Sequence, residues 1–111
     1  MNVHEIDWSK IEWKKIREGV EQTAFSSDAA TGALRRLMPG HEPKPHSHPH
    51  EQIAYIMSGR LRFFIGDEVR DVGPRGLVVI PANVRHWGGV LGDEPVMNLD
   101  VFTPKRPEYA P

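Results

Sequence analysis

The sequence predicts an all-β fold, a sandwich or a barrel, on three observations. Ten glycines and ten prolines divide the 111 residues into short segments of β character with turn signals between them. No segment carries a convincing long helical pattern. Two stretches far apart in the chain, Pro45-His46-Ser47-His48-Pro49-His50-Glu51-Gln52 and Pro81-Ala82-Asn83-Val84-Arg85-His86, complement each other as halves of a divalent-metal site. Separate strands would have to supply those halves, which is how a β-barrel builds a pocket.

The elements follow in order. Residues 11–16 and 20–25 are expected as early strands, with Glu18-Gly19 turning between them. Ser9-Lys10-Ile11-Glu12 matches a capping box, although Trp13 and Ile16 suit a strand equally well. Residues 33–38 form a third strand that Pro39-Gly40 closes. After the histidine segment come strands at 52–57 and 61–65, joined by Ser58-Gly59, and Gly66-Asp67 turns the chain again. Leu77-Val78-Val79-Ile80 is a continuous apolar strand, and residues 96–102 form the last one. The Pro-rich tail, residues 104–111, is expected to lie extended on the surface.

Composition narrows the function classes. A chain of 111 residues is expected to be one domain, 1–111, with strands of residues 1–32 flanking a barrel over 33–106. A formal net charge of −1 leaves no footprint for nucleic acid or for an anionic membrane. The absence of cysteine excludes disulfides and Cys-type zinc sites and fits a reducing compartment. The N-terminal residues show no secretory signal pattern, and the longest apolar run, residues 76–82, is too short to span a bilayer. A cytoplasmic protein is the expectation.

Side chains alternate across a strand, so His46 and His48 project from one face and can chelate a single ion, and Gln52 keeps the same parity. Glu51 is the rival ligand, but its parity is wrong. His86 would complete the set. Imidazole nitrogens suit Zn, Ni, Cu, Fe or Mn, and a neutral amide oxygen in place of a carboxylate leaves one more positive charge at the metal. Such a site favours binding an anion or polarising an oxygen. The competing reading is a surface Pro/His loop that binds metal adventitiously. His4, His41 and His50 are taken as loop or surface residues. Trp8, Trp13 and Trp87 are taken as core or interface, with Trp87 also able to wall a pocket beside His86.

Gly40-x5-His46-x-His48-x3-Gln52-x6-Gly59 resembles the first cupin motif, with Gln where most members have Glu. Gly76-Leu77-Val78-Val79-Ile80-Pro81-Ala82-Asn83-x2-His86 resembles the second. Its first glycine is displaced by one residue, with Arg75 preceding it, and Asn83 stands where Gly is usual. Asn is the natural substitute where a turn needs a left-handed backbone. The resemblance implies a double-stranded β-helix (jelly-roll) barrel, commonly a homodimer, with one divalent transition metal ion on His46, His48, Gln52 and His86.

A narrower likeness lies in the same histidine segment together with the ending Leu99-Asp100-Val101-Phe102-Thr103-Pro104-Lys105-Arg106. That pair resembles the KdgF-type cupins of pectin and alginate breakdown, which convert 4,5-unsaturated monouronates into linear 5-keto-4-deoxyuronates. The resemblance implies a small sugar-acid substrate, a catalytic Asp100, and a pocket lined by Phe102 and Arg106, with Arg106 also acting in catalysis. In residues 97–102, Asn98, Asp100 and Phe102 share one face, and Met97, Leu99 and Val101 the other, as a pocket-lining strand requires. The family ending often continues Arg-Glu-Asp, whereas here Pro107 follows Arg106. Two other readings stay open: a cupin dioxygenase using a redox metal, and a non-catalytic sugar-binding cupin.

Overall fold

The residues described, 3–110, form nine strands in a computed structural model. Met1, Asn2 and Pro111, the extremes of the expected 1–111 domain, lie outside the described residues. The strands are β1 (Lys14–Arg17), β2 (Val20–Ser26), β3 (Thr31–Leu37), β4 (Glu51–Ser58), β5 (Leu61–Ile65), β6 (Glu68–Val72), β7 (Leu77–Ile80), β8 (His86–Val90) and β9 (Val96–Thr103). They form a six-stranded sheet, β1-β2-β3-β9-β4-β7, and a three-stranded sheet, β6-β5-β8. Every pairing is antiparallel. The expected all-β architecture is present, with the first and last strands of the barrel, β3 and β9, adjacent in one sheet.

Register places the interior. Val20, Leu37 and Val96 are opposite one another across β2, β3 and β9, and they are buried with Ala54, Ile56, Leu61, Phe63 and Ile80 in one apolar cluster. Each large aliphatic or aromatic side chain buried there is worth about 1.5–3 kcal/mol. The same inward face of the large sheet carries polar residues further along: Asn98 and Asp100 on β9 and Gln52 on β4 are buried. One end of the barrel is therefore apolar and the other polar.

Left-handed residues at three turns account for one motif glycine and for both departures from the motif pattern. Gly59 has φ 78°, and a Cβ there would stand 2.5 Å from the Pro95 carbonyl oxygen, so the β4–β5 turn admits only glycine. The displaced glycine before β7 has a structural counterpart: Arg75, immediately ahead of Gly76, takes the left-handed conformation at φ 71°. Its N–H donates to the Ile56 carbonyl at 3.0 Å, which anchors the strained residue. Asn83 likewise has φ 66°.

Other expectations are corrected. The first strand is shorter and later than expected, because residues 8–10 form a single 3-10 turn that Asp7, not Ser9, caps through its carboxylate. The tail does not lie extended: the Tyr109 N–H donates to the Arg106 carbonyl at 3.0 Å, and Ala110 is buried with its carbonyl accepting from the Ser26 hydroxyl. None of the tryptophans joins the buried core. Trp8 packs edge-on against Phe25, Trp13 lies under Arg36, and Trp87 stacks on Phe64 with centroids 4.9 Å apart. On the outer face of the β4–β7 edge, Ile53, Met57, Leu77 and Val79 are exposed.

Candidate metal centre and its cavity

His46 lies outside the named strands and is drawn in by its partner. Its N–H donates to the His86 carbonyl at 3.1 Å, and the His86 N–H returns a bond to the His46 carbonyl at 2.9 Å. A reciprocal pair of this kind puts the two side chains next to each other on one face. The loop that carries Asn83 is tied to the same segment by its N–H, which donates to the His48 carbonyl at 2.8 Å. The left-handed turn thus delivers His86 to the histidine segment. Ligand nitrogens of His46, His48 and His86 all lie within 4.8 Å of one another.

The donor set fits a cation. Each of the three rings has its Nδ1 against a backbone carbonyl: His46 on Lys44 at 2.7 Å, His48 on His50 at 3.0 Å and His86 on Val84 at 2.9 Å. A carbonyl only accepts, so each Nδ1 carries the proton and each Nε2 presents a lone pair. His48 Nε2 stands 3.1 Å from Gln52 Oε1, so the ring nitrogen and the amide oxygen can both turn to one cation. The Gln52 amide is held in that orientation because its Nε2 donates to Asp100 at 3.0 Å. His86 Nε2 is buried without a partner. Burial also lowers the His86 pKa to about 4 and pushes the His46 pKa down, so both rings stay neutral and available as ligands. These three histidines could hold a metal ion, and Gln52 Oε1 points at the same place.

Asp100 is 1% exposed. One carboxylate oxygen accepts from Gln52 Nε2 and from Asn98 Nδ2, the latter at 2.8 Å. Burial raises its pKa, opposed by the nearby Arg35 charge and by the two amide donors. A buried carboxyl beside a metal-competent cluster, with its pKa raised, is a candidate to take up and return a proton.

The cavity brings His46, His86, Gln52, Asp100 and Phe102 together. Phe102 is buried and stands edge-on to His48, with centroids 5.5 Å apart. Arg106 is placed differently: its guanidinium lies over the Phe102 ring at 4.8 Å and the Tyr109 ring at 4.1 Å, and its Nε donates to Glu108 at 3.3 Å. Arg106 thus backs the aromatic wall. Trp87 contributes to the rim while its ring stacks outward on Phe64.

Sequence reasoning missed several residues. His41 and His50 lie in loops, as expected, but His41 also lines the cavity and His50 is half-buried with its ring against His48 and Phe102. Arg35, Asn98 and Tyr109 also line it or its wall. The parity of residues 97–102 already placed Asn98 on the pocket face; nothing local marked Arg35. His4 is exposed, as expected. No helix among the described residues is long and apolar enough to cross a membrane.

KdgF from Halomonas sp. superposes with a TM-score of 0.87 at 20% identity, over 96% of this chain and 98% of that one. An RmlC-like cupin from Shewanella frigidimarina does so with a TM-score of 0.87 at 18% identity, over 98% and 97%. The oxalate decarboxylase of Lactobacillus farciminis matches with a TM-score of 0.77 at 21% identity, over 86% of this chain and 32% of its own. Likenesses at these identities establish a shared fold, and the relatives include enzymes. Among curated protein sequences none matches this one. The sequence profile of the cupin domain matches residues 33–102, and with both motifs, the two-sheet barrel and the clustered histidines in place, the chain belongs to the cupin family.

Proposed function

We propose that this chain opens the ring of 4,5-unsaturated uronate monosaccharides, giving 5-keto-4-deoxyuronate in pectin or alginate catabolism. The observation that carries the reading is the Asp100 carboxyl, buried on the cavity wall and joined through the Gln52 amide to the point where His48 Nε2 also converges. The KdgF-type resemblance of the histidine segment and the terminal strand suggests the substrate.

The substrate ring is a cyclic hemiacetal whose ring oxygen is also an enol-ether oxygen. Opening requires loss of the anomeric hydroxyl proton, formation of the C1 carbonyl, cleavage of C1–O5 with its electron pair going to O5, and then formation of the C5 carbonyl as the C4–C5 π pair takes a proton at C4. A divalent transition metal on His46, His48, His86 and Gln52 supplies Lewis acidity toward substrate oxygens. Asp100 takes the anomeric proton and returns one to C4, so the same group serves as base and then acid. Proton transfer of this kind contributes about 10²–10⁴-fold. Phe102 offers its ring as a wall to the sugar, and a cation of the cavity holds the carboxylate. No net oxidation occurs, so the reaction needs no oxygen. The reading includes a homodimer, which the exposed Leu77 and Val79 on edge strand β7 support.

Asp100→Asn tests it. The variant is expected to bind metal as the parent does and to lose about 10²-fold or more in turnover of 4,5-unsaturated galacturonate. Undiminished turnover removes Asp100 from the mechanism, and oxygen uptake during turnover would favour the dioxygenase reading.

A further inference from the structure

We propose that Arg35, rather than Arg106, is the cation that binds the substrate carboxylate, within a polar row that crosses the sheet beside Asp100. The proposal rests on the cavity being a sugar-acid site.

Arg35 sits on β3, register-paired with Gln22 of β2 on one side and Asn98 of β9 on the other. Paired residues project from the same face of a sheet, so the three side chains form one transverse row. Each leaves a buried polar atom without a partner: Gln22 Oε1, Arg35 Nε and Asn98 Oδ1. A buried donor or acceptor left unpaired is destabilising, and three in register mark groups kept for a ligand.

Charge points the same way. Arg36, Arg62, Arg70 and Arg106 have carboxylate partners, Glu21, Asp71, Glu68 and Glu108, whereas Arg17, Arg60, Arg75 and Arg85 have none among the described residues. Arg35 makes no ion pair among the described residues. The carboxylate whose charge it influences is Asp100, already held by Gln52 and Asn98. Arg17 and Lys44 line the same cavity, adding to a locally positive field that the net charge of the chain conceals. Arg106 also has a buried Nη1 without a partner, but its guanidinium is stacked between Phe102 and Tyr109 and its Nε is engaged with Glu108. A guanidinium with an unpartnered Nε–H among the residues lining the cavity suits the planar fork of a carboxylate, and a sugar hydroxyl suits the Asn98 amide, whereas Gln22 lines a separate cavity.

Calorimetry on metal-loaded protein, with D-galacturonate and neutral D-galactose as probes, tests this. Wild type is expected to prefer galacturonate by about tenfold or more. Arg35→Gln should erase the preference, Arg35→Lys should keep part of it, and Arg106→Gln should keep it. A preference that survives Arg35→Gln, that vanishes only in Arg106→Gln, or that wild type lacks overturns the proposal. A second measurement needs no variant: the assigned Arg35 Nε–H resonance should shift with galacturonate and not with galactose, and no shift overturns the proposal equally. Turnover of 4,5-unsaturated galacturonate, followed in parallel, separates the two ideas. An Arg35-dependent preference without turnover removes the ring-opening reading alone, and turnover with an Arg35-independent preference removes this proposal alone.

Discussion

Replacing Gln52 by Glu restores the residue usual in the first cupin motif, and the structure predicts a cost that depends on metal. The substitution is nearly isosteric, but it exchanges the amide that donates to Asp100 for a second carboxylate oxygen 3.0 Å from the first. Two unit charges at that 3.0 Å separation repel by about 5.5 kcal/mol at an effective dielectric near 20. Taking up a proton is cheaper, since protonating an ordinary Glu of pKa about 4.3 at pH 7 costs about 3.7 kcal/mol. Metal-free Gln52→Glu should therefore be less stable than wild type by about 4 kcal/mol at pH 7, a fall of roughly 15 °C in Tm. The shared carboxyl pair has a folded pKa raised above its unfolded value, in the same direction in which burial already pushes Asp100. The stability is thus present below about pH 4.3 and lost as pH rises, so the deficit should shrink to about 1 kcal/mol at pH 5. A divalent ion relieves the repulsion, so metal should raise the Tm of the variant more than that of wild type. Thermal melts in chelator at pH 5 and pH 7, repeated with zinc, measure each part. Equal melting of variant and wild type at pH 7 in chelator would refute the Gln52–Asp100 contact.

Two turn substitutions carry further predictions. Arg75→Gly relieves a left-handed backbone at φ 71° and should leave stability unchanged or raise it by up to about 1 kcal/mol, read as a small rise in Tm. A loss of that size instead would contradict the left-handed assignment. Gly59→Ala brings a Cβ to 2.5 Å from the Pro95 carbonyl oxygen at φ 78°, and should lower stability by about 3 kcal/mol and Tm by more than 10 °C. Unchanged melting would mean that β4 and β9 do not approach so closely at that turn.

Much of the site was legible because spacing encodes it. Two histidines two apart share a strand face, and the alternation in residues 97–102 alone puts Asn98, Asp100 and Phe102 on one side. What stayed hidden depends on register, which no local pattern records. Arg35 matters because β3 pairs with β9 so that it falls opposite Asn98. Strand β6 was missed because Glu68, Arg70 and Asp71 are exposed on an edge with no apolar alternation, and β8 because two of its five residues are glycine. The tail misled because prolines at 104 and 107 suggested an extended path. Tyr109 packs on Phe102 and Ala110 accepts from Ser26, and those long-range contacts are invisible in composition.

Ring opening by this chain should require a divalent metal on His46, His48 and His86. It is tested most directly by following loss of the enol-ether absorbance of freshly generated 4,5-unsaturated galacturonate with wild type, with chelator-stripped protein and with His86→Ala. Decay well above the spontaneous rate is expected for wild type, with a fall to that rate on stripping, recovery on adding metal back, and no recovery for His86→Ala. Spontaneous-rate decay with metal-loaded wild type, or full activity in His86→Ala, would contradict it.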